Sequence, residues 1–197
     1  MKYLAPATRM KYDKLSIFGL PKTFNLWDAC DSFQPAGKVT SPDDILFDMY
    51  PAECNEGEDA SILFQYDESA TGVELIYTEH LQTLSLWLSP WAVEADVQLY
   101  VKYVNFILSK YKRAKLFDKY APLKGLTEED EKQMIKARSK HLEHLLATRE
   151  GFTMEGLNAG YTLKVAHLKP ADSLEQQAKD LQNVFVEMQW TFDEEDS

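Results

Sequence analysis

The chain has 197 residues, of which 45% are apolar and 12% aromatic, and its formal net charge is −11. This length fits one domain, and the apolar content excludes a wholly disordered chain. No run reaches the ~18–20 apolar residues of a membrane-spanning helix, and a strongly negative protein is repelled by a nucleic-acid backbone. We therefore expect a globular protein, with neither a membrane nor a nucleic acid as its partner.

Residues 1–40 hold neither a helical nor a strand period for long. Aromatic side chains are scattered through them among Pro and Gly: Tyr3, Tyr12, Phe18, Phe24, Trp27 and Phe33. We expect an irregular, aromatic-rich N-terminal arm packed on the body, with a short strand between Lys14 and Leu20. The N-terminus lacks the apolar segment of a secretory signal, which favours a cytoplasmic location.

Charge is distributed very unevenly along the chain. No Lys or Arg occurs between Val39 and Val101, although that stretch holds thirteen Asp and Glu, whereas Lys102 to Lys140 holds eleven Lys and Arg against five acids. Acids gathered on one surface repel each other, and a protein that only needs solubility can intersperse its signs. We expect an acidic patch that steers a basic partner, formed by Asp43, Asp44, Asp48, Glu53, Glu56, Glu58 and Asp59. The competing interpretation is that the basic stretch folds back and cancels this charge.

Three segments with strand character follow the acidic loop. They are Ser61 to Asp67, Val73 to Thr78 and Thr83 to Ser89. In each segment every second residue is a large apolar or Tyr side chain that would point to one face, namely Ile62, Phe64 and Tyr66, then Val73, Leu75 and Tyr77, then Leu84, Leu86 and Leu88. Short connections between strands indicate antiparallel neighbours. The sequence therefore predicts an antiparallel meander with one buried face.

The period then changes to that of a helix. Ser89 and Pro90 suit a helix start, and an apolar stripe runs from Val93 to Tyr111. A second helix is expected to begin at Thr127, which forms a capping-box variant with Asp130. The long first helix would cover the buried face of the meander.

The C-terminal part predicts a strand over 160–168 and a helix after Asp172. Residues 184–192 fit either a strand or a continuation of that helix, and their β-branched and aromatic residues favour the strand. Together these patterns predict an α+β fold: an antiparallel meander covered by a long amphipathic helix, with a second helix and a C-terminal β-α-β-like unit. We expect the domain to span 41–192 and the acidic tail 193–197.

No motif in the sequence assigns a catalytic residue, a cofactor or a metal site. Glycine-rich nucleotide loops and the G-x-S-x-G hydrolase motif are missing. His141 and His144 are three residues apart but lack a metalloprotease pattern, and we expect His141 to be a packed core histidine. Cys30 and Cys54 are expected to be free thiols in a reducing compartment.

Two classes of function remain open. The first is a non-catalytic interaction protein, such as an immunity or inhibitor protein, whose acidic surface blocks a basic partner. The second is an enzyme or a small-ligand-binding domain. Its pocket would be built from dispersed residues, namely Tyr66, Tyr77, His80, Trp87 and Trp91.

Overall fold

The computed structural model describes residues 10–33, 60–65, 68–157 and 160–190. The described elements are β1 (Lys14–Phe18), α1 (Leu26–Ser32), β2 (Ala60–Phe64), β3 (Val73–Thr78), β4 (Thr83–Leu88), α2 (Glu94–Lys110), β5 (Lys115–Asp118), β6 (Ala121–Leu123), α3 (Glu128–Thr148), β7 (Gly151–Glu155), β8 (Gly160–Lys164) and α4 (Leu174–Trp190). Helices therefore lie beside antiparallel sheets, and the predicted α+β class is confirmed.

Six of the strands form one antiparallel sheet in the order β2-β3-β4-β1-β5-β6. The three strands expected in a meander are consecutive neighbours in it, as β2, β3 and β4. Strand β1 falls within the short strand expected between Lys14 and Leu20. It lies between β4 and β5, as part of the sheet and not of an irregular arm packed on the body. Leu15 and Ile17 of β1 are fully buried, so this segment belongs to the core of the sheet.

The inner face of the sheet packs against α2. Leu84 and Leu86 of β4 are fully buried, and Val97 and Val104 of α2 belong to the same apolar core. Full burial of one such side chain contributes about 1.5–3 kcal/mol. Tyr100 is also buried in this core, where its hydroxyl donates a hydrogen bond to the Tyr12 carbonyl at 2.9 Å. The sheet and α2 thus form the two main layers.

Helix α2 begins later than the sequence predicts. Ser89 does not cap it, because the Ser89 hydroxyl accepts a hydrogen bond from the Trp91 N–H at 3.1 Å and forms a turn instead. The N-cap is Val93, whose backbone N–H donates to the Asp96 carboxylate at 3.0 Å. Asp96 therefore accepts from the N–H of the N-cap residue, as the N3 side chain of a capping box does.

The expected start of α3 is confirmed. Thr127 accepts a hydrogen bond from the Asp130 N–H at 3.1 Å, and its own N–H donates to the Asp130 carboxylate at 2.9 Å. This is a reciprocal capping box, and it lowers the pKa of Asp130.

The C-terminal unit differs from the predicted β-α-β arrangement. Strands β7 and β8 form an antiparallel hairpin, and α4 follows them. Residues 184–190 belong to α4, so the preference for a strand there was wrong. Leu181 and Phe185 lie one helical turn apart and are both buried, whereas Val184 is exposed. Burial along one helical stripe outweighs the β-propensity of the segment.

This unit has an apolar core of its own. Leu142 and Leu146 of α3 pack with Met154 and Leu163 of the hairpin and with Phe185 of α4. Helix α3 also packs against α2. It therefore connects the C-terminal core to the main sheet.

Candidate interaction site

The seven acids of the expected patch, Asp43, Asp44, Asp48, Glu53, Glu56, Glu58 and Asp59, lie outside the described residues. Other acids of the same Lys- and Arg-free stretch are described. Glu68 and Glu94 are exposed, Glu74 and Glu79 are half-buried, and Asp96 is fully buried. The described part of the acidic stretch thus contains four carboxylates that water reaches.

The residues of the alternative pocket do not share one surface. Tyr77 is buried on the inner face of β3, and Trp87 is 41% exposed on the outer face of β4. His80 lies exposed in a single 3-10 turn, and Trp91 packs against His141 and Phe152 elsewhere in the molecule. Tyr66 lies outside the described residues.

The Asp96 carboxylate holds the β2–β3 loop against the start of α2. It accepts hydrogen bonds from the N–H groups of Thr71 at 3.1 Å and Gly72 at 2.9 Å, besides that of Val93. The N–H of Ala70 is 3.3 Å away, and the Thr71 hydroxyl donates at 3.1 Å. Burial raises the pKa of Asp96, and these donors oppose that shift. Residues 69–72 are therefore fixed to α2.

Gly72 is required in this loop. Its φ of +63° is unfavourable for other residues, and a Cβ there would lie 3.0 Å from the Phe64 carbonyl oxygen. The sequence marks the turn through this glycine. It does not mark Asp96 as the side chain that anchors it, because the contact spans 24 residues.

A shallow groove of about 550 Å³ lies beside this anchored loop, between the first turns of α2 and the surface of α4. Its polar lining includes Glu68, Glu94, Glu187, Lys179, Gln98 and Gln182. Val93, Ala95 and Val186 supply the apolar part. We call this the α2–α4 groove.

Acid groups predominate in the α2–α4 groove. Three acidic residues, Glu68, Glu94 and Glu187, line the groove together with one basic residue, Lys179. Gln98 donates a hydrogen bond to Glu94 at 3.1 Å, which holds that carboxylate against α2. Carboxylates accept hydrogen bonds from ammonium and guanidinium groups, so this lining suits a basic side chain.

Cys30 lies buried in the apolar core of the main sheet. Burial raises the pKa of Cys30 to about 12, and its sulfur lies 3.6 Å from the Tyr103 hydroxyl inside the core. A thiol held in its protonated form is a poor nucleophile. Within the described ranges, no three His, Cys, Asp or Glu side chains are grouped so that they could hold a metal ion.

His141 is partly buried beside the Trp91 ring, at 5.7 Å between ring centroids. Burial, together with neighbouring His144, lowers the pKa of His141, while Asp13 opposes the shift. Its position among aromatic rings agrees with the expected packing role.

Comparisons with protein-family models, with curated proteins and with solved structures found no match for this chain. No helix among the described residues is long and apolar enough to cross a membrane. The candidate site therefore depends on the geometry alone.

Sequence reasoning missed the contribution of α4 to this site. Lys179 and Glu187 are more than eighty residues from Glu94, and residues 184–192 were expected to be a strand. A strand would have separated these side chains onto other positions of the surface. Only the helical assignment places both residues along the groove, about two helical turns apart on α4.

Proposed function

We propose that this chain is a non-catalytic interaction protein, of the immunity or inhibitor type, whose acidic surface binds a basic partner protein. The main support is the α2–α4 groove, which three acidic residues and one basic residue line. The net charge of −11 supports the same proposal, because it attracts a basic partner before contact is made.

Two parts of the acidic stretch would act on the partner in different ways. Charges in 43–59 contribute the long-range attraction, and Glu68 and Glu94 offer acceptors close to a fixed loop. Because Asp96 anchors residues 69–72, the Glu68 backbone is adjacent to a segment that loses little freedom on binding. A basic side chain of the partner would lie between Glu94 and Glu187.

A pull-down from the source cell followed by mass spectrometry tests this proposal. The baits are the natural chain, a Glu68→Lys/Glu94→Lys variant, and a Glu150→Lys/Glu155→Lys control that reverses two exposed acids elsewhere. We expect the natural chain and the control to capture the same basic protein, and the groove variant to lose it. Equal capture by all three baits would exclude the groove, and an acidic captured partner would contradict the proposed function.

A further inference from the structure

The outer face of the six-stranded sheet carries exposed aromatic side chains. Trp87 is 41% exposed and Phe18 is 42% exposed, and Phe18 meets Phe117 edge to face at 5.4 Å between centroids. Phe18, Trp87 and Phe117 belong to neither apolar core. The four described helices do contribute side chains to these cores. Exposed aromatic side chains on a sheet are typical of an interaction surface.

Charged side chains flank Trp87 in an ordered row. The strand register places Glu74 of β3 opposite Trp87 on one side, and Lys14 of β1 opposite Trp87 on the other. Directly paired residues of antiparallel strands point to the same face, so the three form a row of acid, aromatic ring and base. The Lys14 ammonium lies 3.8 Å from the centre of the Trp87 ring, which keeps this charge on the face.

This row is complementary to itself. A two-fold axis parallel to the strands and lying over β4 would place a second copy face to face with the first. Trp87 would then meet the partner's Trp87, Glu74 would meet the partner's Lys14, and Lys14 would meet the partner's Glu74. A two-fold interface requires this kind of self-complementary pattern.

We propose that the outer face of the sheet is a homodimer interface, in which Trp87 lies at the centre and Glu74 and Lys14 form reciprocal ion pairs between copies. The two sheets would pack in the aligned manner of a β-sandwich. This self-association is separate from the α2–α4 groove, which lies at the start of α2 rather than on this face.

The size of the face indicates a weak dimer. With the axis over β4, five strands of each copy overlap. At a spacing of about 4.8 Å and a length of about 17 Å each, they give roughly 400 Å² on each copy. The two copies together would bury roughly 800 Å², below the roughly 1,000 Å² of a stable specific interface, so we expect a weak dimer that dissociates on dilution. Repulsion between two chains of net charge −11 is best reduced by working at 0.15 M salt, where the Debye length is about 8 Å.

Sedimentation equilibrium of the full chain at 0.15 M salt, over a hundredfold concentration range, tests the proposal. The natural chain should reach twice the mass of one chain, whereas Glu74→Lys and Lys14→Glu should each raise the dissociation constant at least tenfold. Lys136→Glu and Glu150→Lys, at exposed positions away from this face, are the matched controls and should dimerise like the natural chain.

Mixing the two single variants gives the decisive result. Glu74→Lys and Lys14→Glu carry opposite changes, so together they should form a mixed dimer although each alone remains monomeric. Circular dichroism establishes that both are folded, and a variant that fails this check is replaced by Glu74→Gln or Lys14→Gln, each expected to weaken the dimer less. A natural chain that stays monomeric, variants that dimerise unchanged, or a mixture that stays monomeric would each overturn the proposal.

Discussion

The guanidinium of Arg138 lies 3.1 Å from the carboxylate of Asp13, and this ion pair joins two residues that are 125 positions apart. The Arg138 side chain is only 1% exposed. Its Nε donates to the Ser89 carbonyl at 3.1 Å and its Nη1 to the Met134 carbonyl at 3.2 Å. Burial lowers the pKa of Arg138 and Asp13 opposes this, so α3 is tied to the segment before β1 by a compensated buried charge.

Removing one partner of this pair should destabilise the fold strongly. Asp13→Ala leaves the Arg138 charge buried without its counter-ion, which costs about 3–5 kcal/mol. Because Arg138→Met removes that uncompensated charge, the double variant should lose less stability than the sum of the two single variants. Urea denaturation of the four proteins measures the difference, and strictly additive losses would contradict a direct interaction.

The Asp96 anchor gives a second prediction. Asp96→Asn replaces one acceptor oxygen with an NH₂ donor that faces backbone N–H groups, and we expect a loss of about 1–3 kcal/mol. The control is Glu94→Gln, an exposed change in the same helical turn, which should stay within about 0.5 kcal/mol of the natural chain. Equal unfolding midpoints for the two variants would mean that the loop does not depend on this carboxylate.

Leu86 tests the assignment of the inner face of β4. It is fully buried, so Leu86→Ala should cost about 2–5 kcal/mol through lost burial and the cavity left behind. Ser85 is its neighbour on the opposite face, and Ser85→Ala should change stability by less than about 0.5 kcal/mol. If chemical denaturation shows that Leu86→Ala lowers the free energy of unfolding by less than about 0.5 kcal/mol, the inner face of β4 is assigned incorrectly.

The lowered pKa of His141 should make the stability of the fold depend on pH. Its pKa in the folded protein is lowered from 6.5, chiefly by burial and also by His144. As pH falls through 6.5 the unfolded chain takes up this proton first, so stability decreases from above pH 6.5 down through the lowered pKa.

Urea denaturation at several pH values between 8 and 5 measures that decrease. His141→Gln should remove the part of it due to this residue, whereas His80→Gln, at an exposed position, should retain it. The same pH slope for the natural chain and His141→Gln would show that His141 titrates alike in the folded and unfolded states.

Local patterns predicted many of the elements. Alternation located β3 at its observed bounds, and the Thr127–Asp130 pair located the start of α3, because both signals lie within a few residues of chain. The start of α2 was misplaced because Ser89 is a good capping residue by type, yet its hydroxyl binds Trp91 in a turn. The residue type of Ser89 does not decide whether its hydroxyl caps a helix or closes a turn.

Features that depend on distant partners were not predictable. The place of β1 between β4 and β5 depends on pairing across about seventy to a hundred residues, as in Ile17 with Leu84 and with Leu116. The helical state of 184–190 depends on burial of Phe185 against α3 and the hairpin. Only part of the candidate site could be predicted. The acidic stretch was visible in the sequence, whereas the α4 side of the groove was not.

The most direct test of the proposed function is the association rate with the captured partner as salt rises from 0.01 to 0.15 M. Over that range the Debye length falls from about 30 Å to about 8 Å, so the rate for the natural chain should fall steeply. Reversal of Glu56, Glu58 and Asp59 to Lys should slow association further while circular dichroism remains unchanged. An association rate that is indifferent to both salt and charge reversal would contradict an acidic surface that binds a basic partner.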